Sequence, residues 1–177
     1  EVEGVAYSYY ANRNSLSYIS LYGLENVQTF VRTTLRYPDY MSGWNNIIKL
    51  GLTDESEKVH INNEPLAHFL NKKINEAGGM PDDNLFLTQM NYLGLNDSTT
   101  LLPEGNYSTA DVLQFALEKK LVLNPDDKDM IVMLHEFDYE LNKQQHTLQS
   151  SLVVKGKDSL RTAMAKTVGL PLGIAAK

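Results

Sequence analysis

The chain has 177 residues, 42% of them apolar, with 16 Lys and Arg against 22 Asp and Glu for a formal charge of -6. That suffices for one domain, or a domain with a small lobe, and it leaves nucleic acid no basic track beyond the Lys72-Lys73 pair. No stretch approaches the roughly 20 apolar residues of a membrane span, no signal pattern opens the chain, and the lack of cysteine excludes disulfide and thiolate chemistry and fits a cytoplasmic protein.

Gly4 to Tyr10 is aromatic and loosely alternating, which predicts an opening strand that delivers the polar tetrad Asn12-Arg13-Asn14-Ser15 at its end. Leu16, Ile19 and Leu21 then give a short helical turn before Gly23. Val27 to Tyr37 is rich in Val, Phe, Thr, Leu and Tyr and is stopped by Pro38, so a second strand is expected there. Arg32 and Arg36, four residues apart, would share its face with Phe30 and Thr34. After Pro38, the spacing of Tyr40, Trp44, Ile47 and Ile48 predicts an amphipathic helix that ends near Gly51, with Trp44 as a core anchor.

From Leu52 to about Thr109 the chain turns polar and is broken by Gly78-Gly79 and Pro81. Short helical patterns around Leu66, Phe69, Leu70 and Ile74, and around Phe86, Met90 and Leu93, mark this stretch as a small helical insertion. Ser108 with Asp111 three residues on is a capping pattern, and a helix should follow it through Lys120. Asp129 to Tyr139 and His146 to Val154 are β-rich and separated by Leu141-Asn142-Lys143-Gln144, which predicts a hairpin. Ser159 to Val168 reads as a helix ended by Gly169, with Pro171 starting another. The expected class is α/β in the α+β sense: an open mixed or mainly antiparallel sheet of about four or more strands, helices covering one face, and the insertion at 52–109.

No Gly-rich phosphate loop follows a predicted strand, and the four histidines, His60, His68, His135 and His146, lack metal-ligand spacing, so neither a dinucleotide nor a metal is expected to bind this chain by itself. His135 and Glu136 are strand neighbours that face opposite ways, and neither Ser15 nor Ser159 sits in a nucleophile elbow. No catalytic residue is assigned. The remaining candidates are polar groups at strand ends, a favoured place for a small-solute site. Asn12, Arg13 and Ser15 lie at one such end and Arg36 at another, with Arg32 behind it. An arginine can hold a carboxylate through two parallel bonds while Asn or Ser fixes its rotation; surface salt bridging is the competing reading.

Four ordered blocks resemble the substrate domain of the saccharopine dehydrogenase family: Tyr10 to Ser15, Val31 to Tyr37, Asp129 to Met133, and Thr162 to Pro171. The branch is the glutamate-forming one, also called saccharopine reductase. The resemblance implies a parent with an NAD or NADP-binding Rossmann lobe, in which this chain is the inserted lobe that grips an amino diacid and contributes to a homodimer. In the parent, hydride would pass between nicotinamide and a secondary amine or imine carbon, interconverting saccharopine with glutamate and aminoadipate semialdehyde. It also implies that Asn12, Arg13, Ser15 and Arg36 face the bound amino acid and that Arg32 is a less central contact. Residues 1–170 would be the substrate-binding and dimerisation domain and 171–177 the start of the return to the Rossmann lobe, so that this stretch alone is inactive. The start on Glu1 and the apolar end before Lys177 are read the same way, as an excised piece. The family commonly has Gly where Thr33 stands here, which leaves the exact substrate open. A carboxynorspermidine-type dehydrogenase domain and a non-catalytic scaffold or dimerisation module are the alternatives.

Overall fold

The computed structural model describes all residues from Glu1 to Lys177. The order of elements is β1 (Ser8–Ala11), α1 (Ser17–Leu21), β2 (Thr33–Arg36), α2 (Pro38–Lys49), β3 (Lys58–Ile61), α3 (Leu66–Glu76), α4 (Asn84–Leu93), β4 (Gly105–Ser108), α5 (Thr109–Lys120), β5 (Met130–Leu141), β6 (Gln144–Lys155) and α6 (Ala163–Ala175). The α+β class holds, and both β3 with β4 and β5 with β6 pair antiparallel. The strands are nevertheless divided over three two-stranded sheets, β1-β2, β3-β4 and β5-β6, where the sequence suggested one open sheet of four or more. The chain falls into two compact units, one made of residues 1–35 with 123–177 and the other of residues 36–122.

The second unit contains the main apolar core. Residues at helical spacing supply it: Ile47 from α2, Leu66, Phe69, Leu70 and Ile74 from α3, Phe86 and Met90 from α4, and Val112, Leu113 and Ala116 from α5. Trp44 packs against its edge, half-buried. The starts of α2, α4 and α5 are set by local chemistry. Pro38 opens α2 at a position where a missing N–H is harmless. The Asp83 carboxylate accepts from the N–H groups of Leu85 (2.9 Å) and Phe86 (3.2 Å) at the start of α4 and from Asn46 Nδ2 of α2 (3.0 Å). Ser108 and Asp111 form a reciprocal capping box on α5. Helices α2 and α4 meet where Gly43 leaves room for Gln89, whose Nε2 donates to the Asp39 carbonyl at 2.8 Å; any Cβ at Gly43 would overlap that amide.

The first unit is built differently. Its buried apolar residues are only Val2 and Ala163, and its dominant element is the β5-β6 hairpin, twelve residues on each strand from Met130↔Lys155 to Leu141↔Gln144. The turn is Asn142-Lys143 with φ of 53° and 62°, the two-residue left-handed geometry whose twist matches that of paired strands. At the base of the hairpin, Asp129 accepts from the N–H groups of Ala163 (2.6 Å) and Met164 (2.9 Å) and so anchors the start of α6 across 34 residues of sequence. Gly156, whose N–H donates to the Asp129 carbonyl at 2.9 Å, has no space for a Cβ beside that carboxylate.

Several boundaries differ from expectation. The opening strand is Ser8–Ala11 rather than Gly4 to Tyr10, because Gly4 at φ 77° closes a tight Val2↔Val5 bridge. The second strand is Thr33–Arg36, which leaves Phe30 and Arg32 ahead of it; β1 is only four residues long and gives a longer β2 nothing to pair with. Helix α6 runs through Gly169 and Pro171 as one piece, with no break between two helices, even though the proline removes one backbone hydrogen bond inside it. The segment between Leu52 and Thr109 also holds β3 and β4, which its polar sequence did not suggest.

Candidate functional site

The Asn12 to Ser15 tetrad forms a tight loop immediately after β1. The Asn12 N–H donates to the Arg32 carbonyl at 2.9 Å, which ties the loop to the residue that precedes β2. Ser15 Oγ donates to the Asn12 carbonyl at 3.0 Å and the Leu16 N–H donates to Asn14 Oδ1 at 3.1 Å. Arg13 takes φ 51°, a left-handed conformation that a non-glycine residue adopts at some strain. The result is a rigid bend that presents the Arg13 side chain to solvent, while Ser15 beneath it is only 8% exposed.

Arg32 is also exposed, and its guanidinium lies over the Tyr18 ring of α1 at 4.8 Å from the centroid. Tyr18 in turn packs against Tyr22, with ring centroids 5.8 Å apart. A guanidinium lying on a ring keeps its planar N–H edge available to an anion while its rotamers are restricted. Neither Arg13 nor Arg32 is paired with a carboxylate; the ion pairs of the chain are Lys58–Asp111, His68–Glu64, Lys73–Glu76 and Arg161–Asp158. Asn12, Arg13, Ser15 and Arg32 thus come together in the first unit through one backbone hydrogen bond.

Arg36 belongs to the second unit. It ends β2 and lies over the Tyr40 ring at 5.7 Å, and Tyr40 stacks on Trp44 with ring centroids 5.8 Å apart and planes 10° from parallel. Tyr40 and Trp44, four residues apart, share one face of the first turns of α2, and Arg36 reaches the ring from the end of β2, before the extended Tyr37 that precedes the helix. Tyr18 and Tyr40 are the residues that the sequence reading did not connect with the arginines. Arg36 and Tyr40 meet across the corner between β2 and α2, and Arg32 and Tyr18 meet only through folding.

Elsewhere, an open cleft of about 230 Å³ in the second unit is lined by Leu66, Gly94, Asp97, Thr100 and Lys119 among others. Its charged groups are already engaged: Asp97 accepts from Thr99 and Thr100, which hold its carboxyl well below the usual range, and Lys119 Nζ donates to Thr100 Oγ1 at 2.9 Å. No three His, Cys, Asp or Glu side chains are grouped to hold a metal ion, and no helix is long and apolar enough to cross a membrane. The chain also has no glycine-rich turn between a strand and a helix that would cradle a dinucleotide pyrophosphate.

The arrangement is that of a small α+β domain that presents solvent-facing, aromatic-backed cations. Comparison with known proteins identifies it further: residues 2–177 match the family model described as the saccharopine dehydrogenase C-terminal domain, and the chain belongs to that family. It is 32% identical to mouse mitochondrial alpha-aminoadipic semialdehyde synthase over 95% of this chain and 20% of that protein. It is 30% identical to saccharopine dehydrogenase [NADP(+), L-glutamate-forming] of Saccharomyces cerevisiae over 98% of this chain and 43% of that enzyme. The solved apo structure of the histidine-tagged L-Glu-forming saccharopine dehydrogenase from the same yeast matches with a TM-score of 0.82 at 26% identity, covering 99% of this chain and 43% of the other. The chain therefore spans about a fifth to two fifths of the length of these relatives.

Proposed function

We propose that this chain is the substrate-binding lobe of an NADP-dependent oxidoreductase that interconverts saccharopine with glutamate and aminoadipate semialdehyde. The observation that carries the reading is the pair of exposed, carboxylate-free arginines Arg13 and Arg32, tied together through the Asn12–Arg32 backbone bond, in a member of the saccharopine dehydrogenase family. NADP(+) and glutamate formation appear in the names of the fungal relatives, and both are carried over here to a parent enzyme of which this lobe is a part. The residues present do not fit a dinucleotide, so this lobe's share of the work is to bind and orient the amino diacid. Arg13 and Arg32 each grip a carboxylate, and Asn12 fixes its rotation with its side-chain amide. Ser15 holds the loop through its bond to the Asn12 carbonyl.

The test is steady-state kinetics on the full-length enzyme. Arg13→Ala and Arg32→Ala should each raise the KM for saccharopine by roughly 10- to 100-fold, the loss of one charge-assisted hydrogen-bonding partner, with the KM for NADP unchanged. Unchanged saccharopine kinetics in both variants would remove the clamp from the account. Calorimetric detection of tight NADP binding to the isolated lobe would overturn the division of labour.

A further inference from the structure

The open cleft of about 230 Å³ in the second unit lies where the start of α3, the C-terminal end of α4 with the loop after it, and the last turn of α5 meet. Leu66 and Ala116, both buried, and half-buried Leu93 give it an apolar wall. Its polar lining is Asp97, Thr100, Lys119 and Lys120. The space is smaller than the roughly 300 to 1,000 Å³ pockets that take drug-sized ligands, so it suits a molecule of amino-acid size.

The charges are sorted by depth. Asp97 is half-buried, whereas Lys119 and Lys120 are exposed at the mouth. Asp97 Oδ1 accepts from the N–H and the Oγ1 of Thr99, both at 2.7 Å, while Oδ2 accepts from Thr100 Oγ1 alone, at 2.6 Å. A carboxylate has about four acceptor positions, so one on Oδ2 stays open. Thr100 Oγ1 accepts in turn from Lys119 Nζ at 2.9 Å, and Lys120 Nζ lies over the Tyr92 ring of α4 at 5.2 Å from its centroid. Every one of these partners is neutral. Asp97 and both lysines stand outside the ion pairs of the chain.

That order selects a ligand. A bare anion drawn in by the lysines meets the Asp97 carboxylate and the negative end of the α4 dipole behind them, and a bare cation must pass two ammonium groups. A molecule with an ammonium and a carboxylate on neighbouring atoms answers the inner and outer charges together. An aliphatic tail on it would cover the wall of Leu66, Leu93 and Ala116.

We propose that this cleft binds a free α-amino acid with a short aliphatic side chain, its ammonium on Asp97 and its carboxylate between Lys119 and Lys120. Lys119 keeps its bond to Thr100 and still has two donors for the ligand. The site is distinct from Arg13 and Arg32, which belong to the other unit.

The probe is L-norvaline, with one carboxylate and a propyl side chain, titrated against the full-length protein and followed by saturation-transfer difference NMR. The expected result is saturable binding, with a dissociation constant raised about tenfold or more in the double variant Lys119→Gln/Lys120→Gln and unchanged in Arg13→Ala. Both lysines are exposed, so the double variant should keep the wild-type circular dichroism. Pentanoate, which lacks the ammonium, and butylamine, which lacks the carboxylate, should each bind about tenfold more weakly or worse. Absence of saturable L-norvaline binding overturns the proposal, as does an affinity that the double lysine variant leaves unchanged. Pentanoate or inorganic phosphate bound as tightly as L-norvaline overturns it in favour of a plain anion site. Binding lost in Arg13→Ala and kept in the lysine variant puts the ligand in the other unit and overturns it too.

Discussion

Asp129 and Gly156 are a matched pair. The carboxylate caps α6 with two backbone N–H contacts, and the glycine is what lets the hairpin base approach it. Asp129→Ala should destabilise the fold by about 1 to 2 kcal/mol through the lost cap. Gly156→Ala should destabilise it through overlap with that same carboxylate. Because the severest overlap is with the carboxylate oxygen, with the Ala163 and Thr162 backbone also close, Gly156→Ala should be less damaging in the Asp129→Ala background, and a urea-denaturation double-mutant cycle measures that coupling. Tyr18 makes a similar contribution at the candidate site. Tyr18→Leu removes the ring beneath Arg32, worth about 0.5 to 1 kcal/mol at an exposed position, and under the clamp proposed above should raise the saccharopine KM of the full-length protein two- to fivefold without changing its folding midpoint.

Among the elements, the hairpin is the most exacting, because its turn places two non-glycine residues at positive φ. Lys143 stands where a type I′ turn favours glycine, so Lys143→Gly should stabilise the hairpin by about 0.5 to 1 kcal/mol, read as slower amide exchange along β5 and β6. In α6, Pro171→Ala should extend exchange protection past Thr167, whose carbonyl the proline leaves without its usual helical donor.

These elements also show where sequence is informative. The hairpin and α5 were legible because alternation plus a turn, and a Ser-x-x-Asp cap, are local signals. Strands β3 and β4 were not, since Lys58-Val-His-Ile and Gly105-Asn-Tyr-Ser become strands only by long-range pairing, Lys58 with Ser108 and Ile61 with Gly105. In α6, Gly169 and Pro171 imitate a stop signal that the helix runs through. Of the candidate site, the residue types and their place at strand ends could be read from the sequence, while the aromatic support of Arg32 depends on how Tyr18 is brought to it.

For the molecule as a whole, acid sensitivity follows from several carboxylates held below their ordinary range. Asp54, Asp111, Asp127 and Asp158 are all lowered by hydrogen bonds, first from Ser56, Ser108, Asn124 and Arg161 respectively, with Asp158 brought down to about 2. A carboxyl whose folded pKa lies below its unfolded value near 3.8 stabilises the fold above that value and loses the contribution as pH falls through the folded pKa. These groups should therefore leave the thermal midpoint flat between pH 8 and about 5 and lower it below about 4. Salt should weaken the share of Asp158, which faces Arg161, and spare Asp54 and Asp127, whose first partners are neutral.

The two units also differ in how they are written into the chain. Residues 36–122 are one uninterrupted stretch with its own core, whereas the other unit needs residues from both sides of it. During synthesis the uninterrupted unit is complete once its last helix has emerged. At about 5 to 20 residues per second, the hairpin and α6 arrive several seconds later. The order of assembly is thus built into the connectivity: the cored unit can fold on the ribosome while Tyr18 and Arg32 wait in an unfinished partner, and a ribosome stalled just past residue 122 should carry the first unit half made.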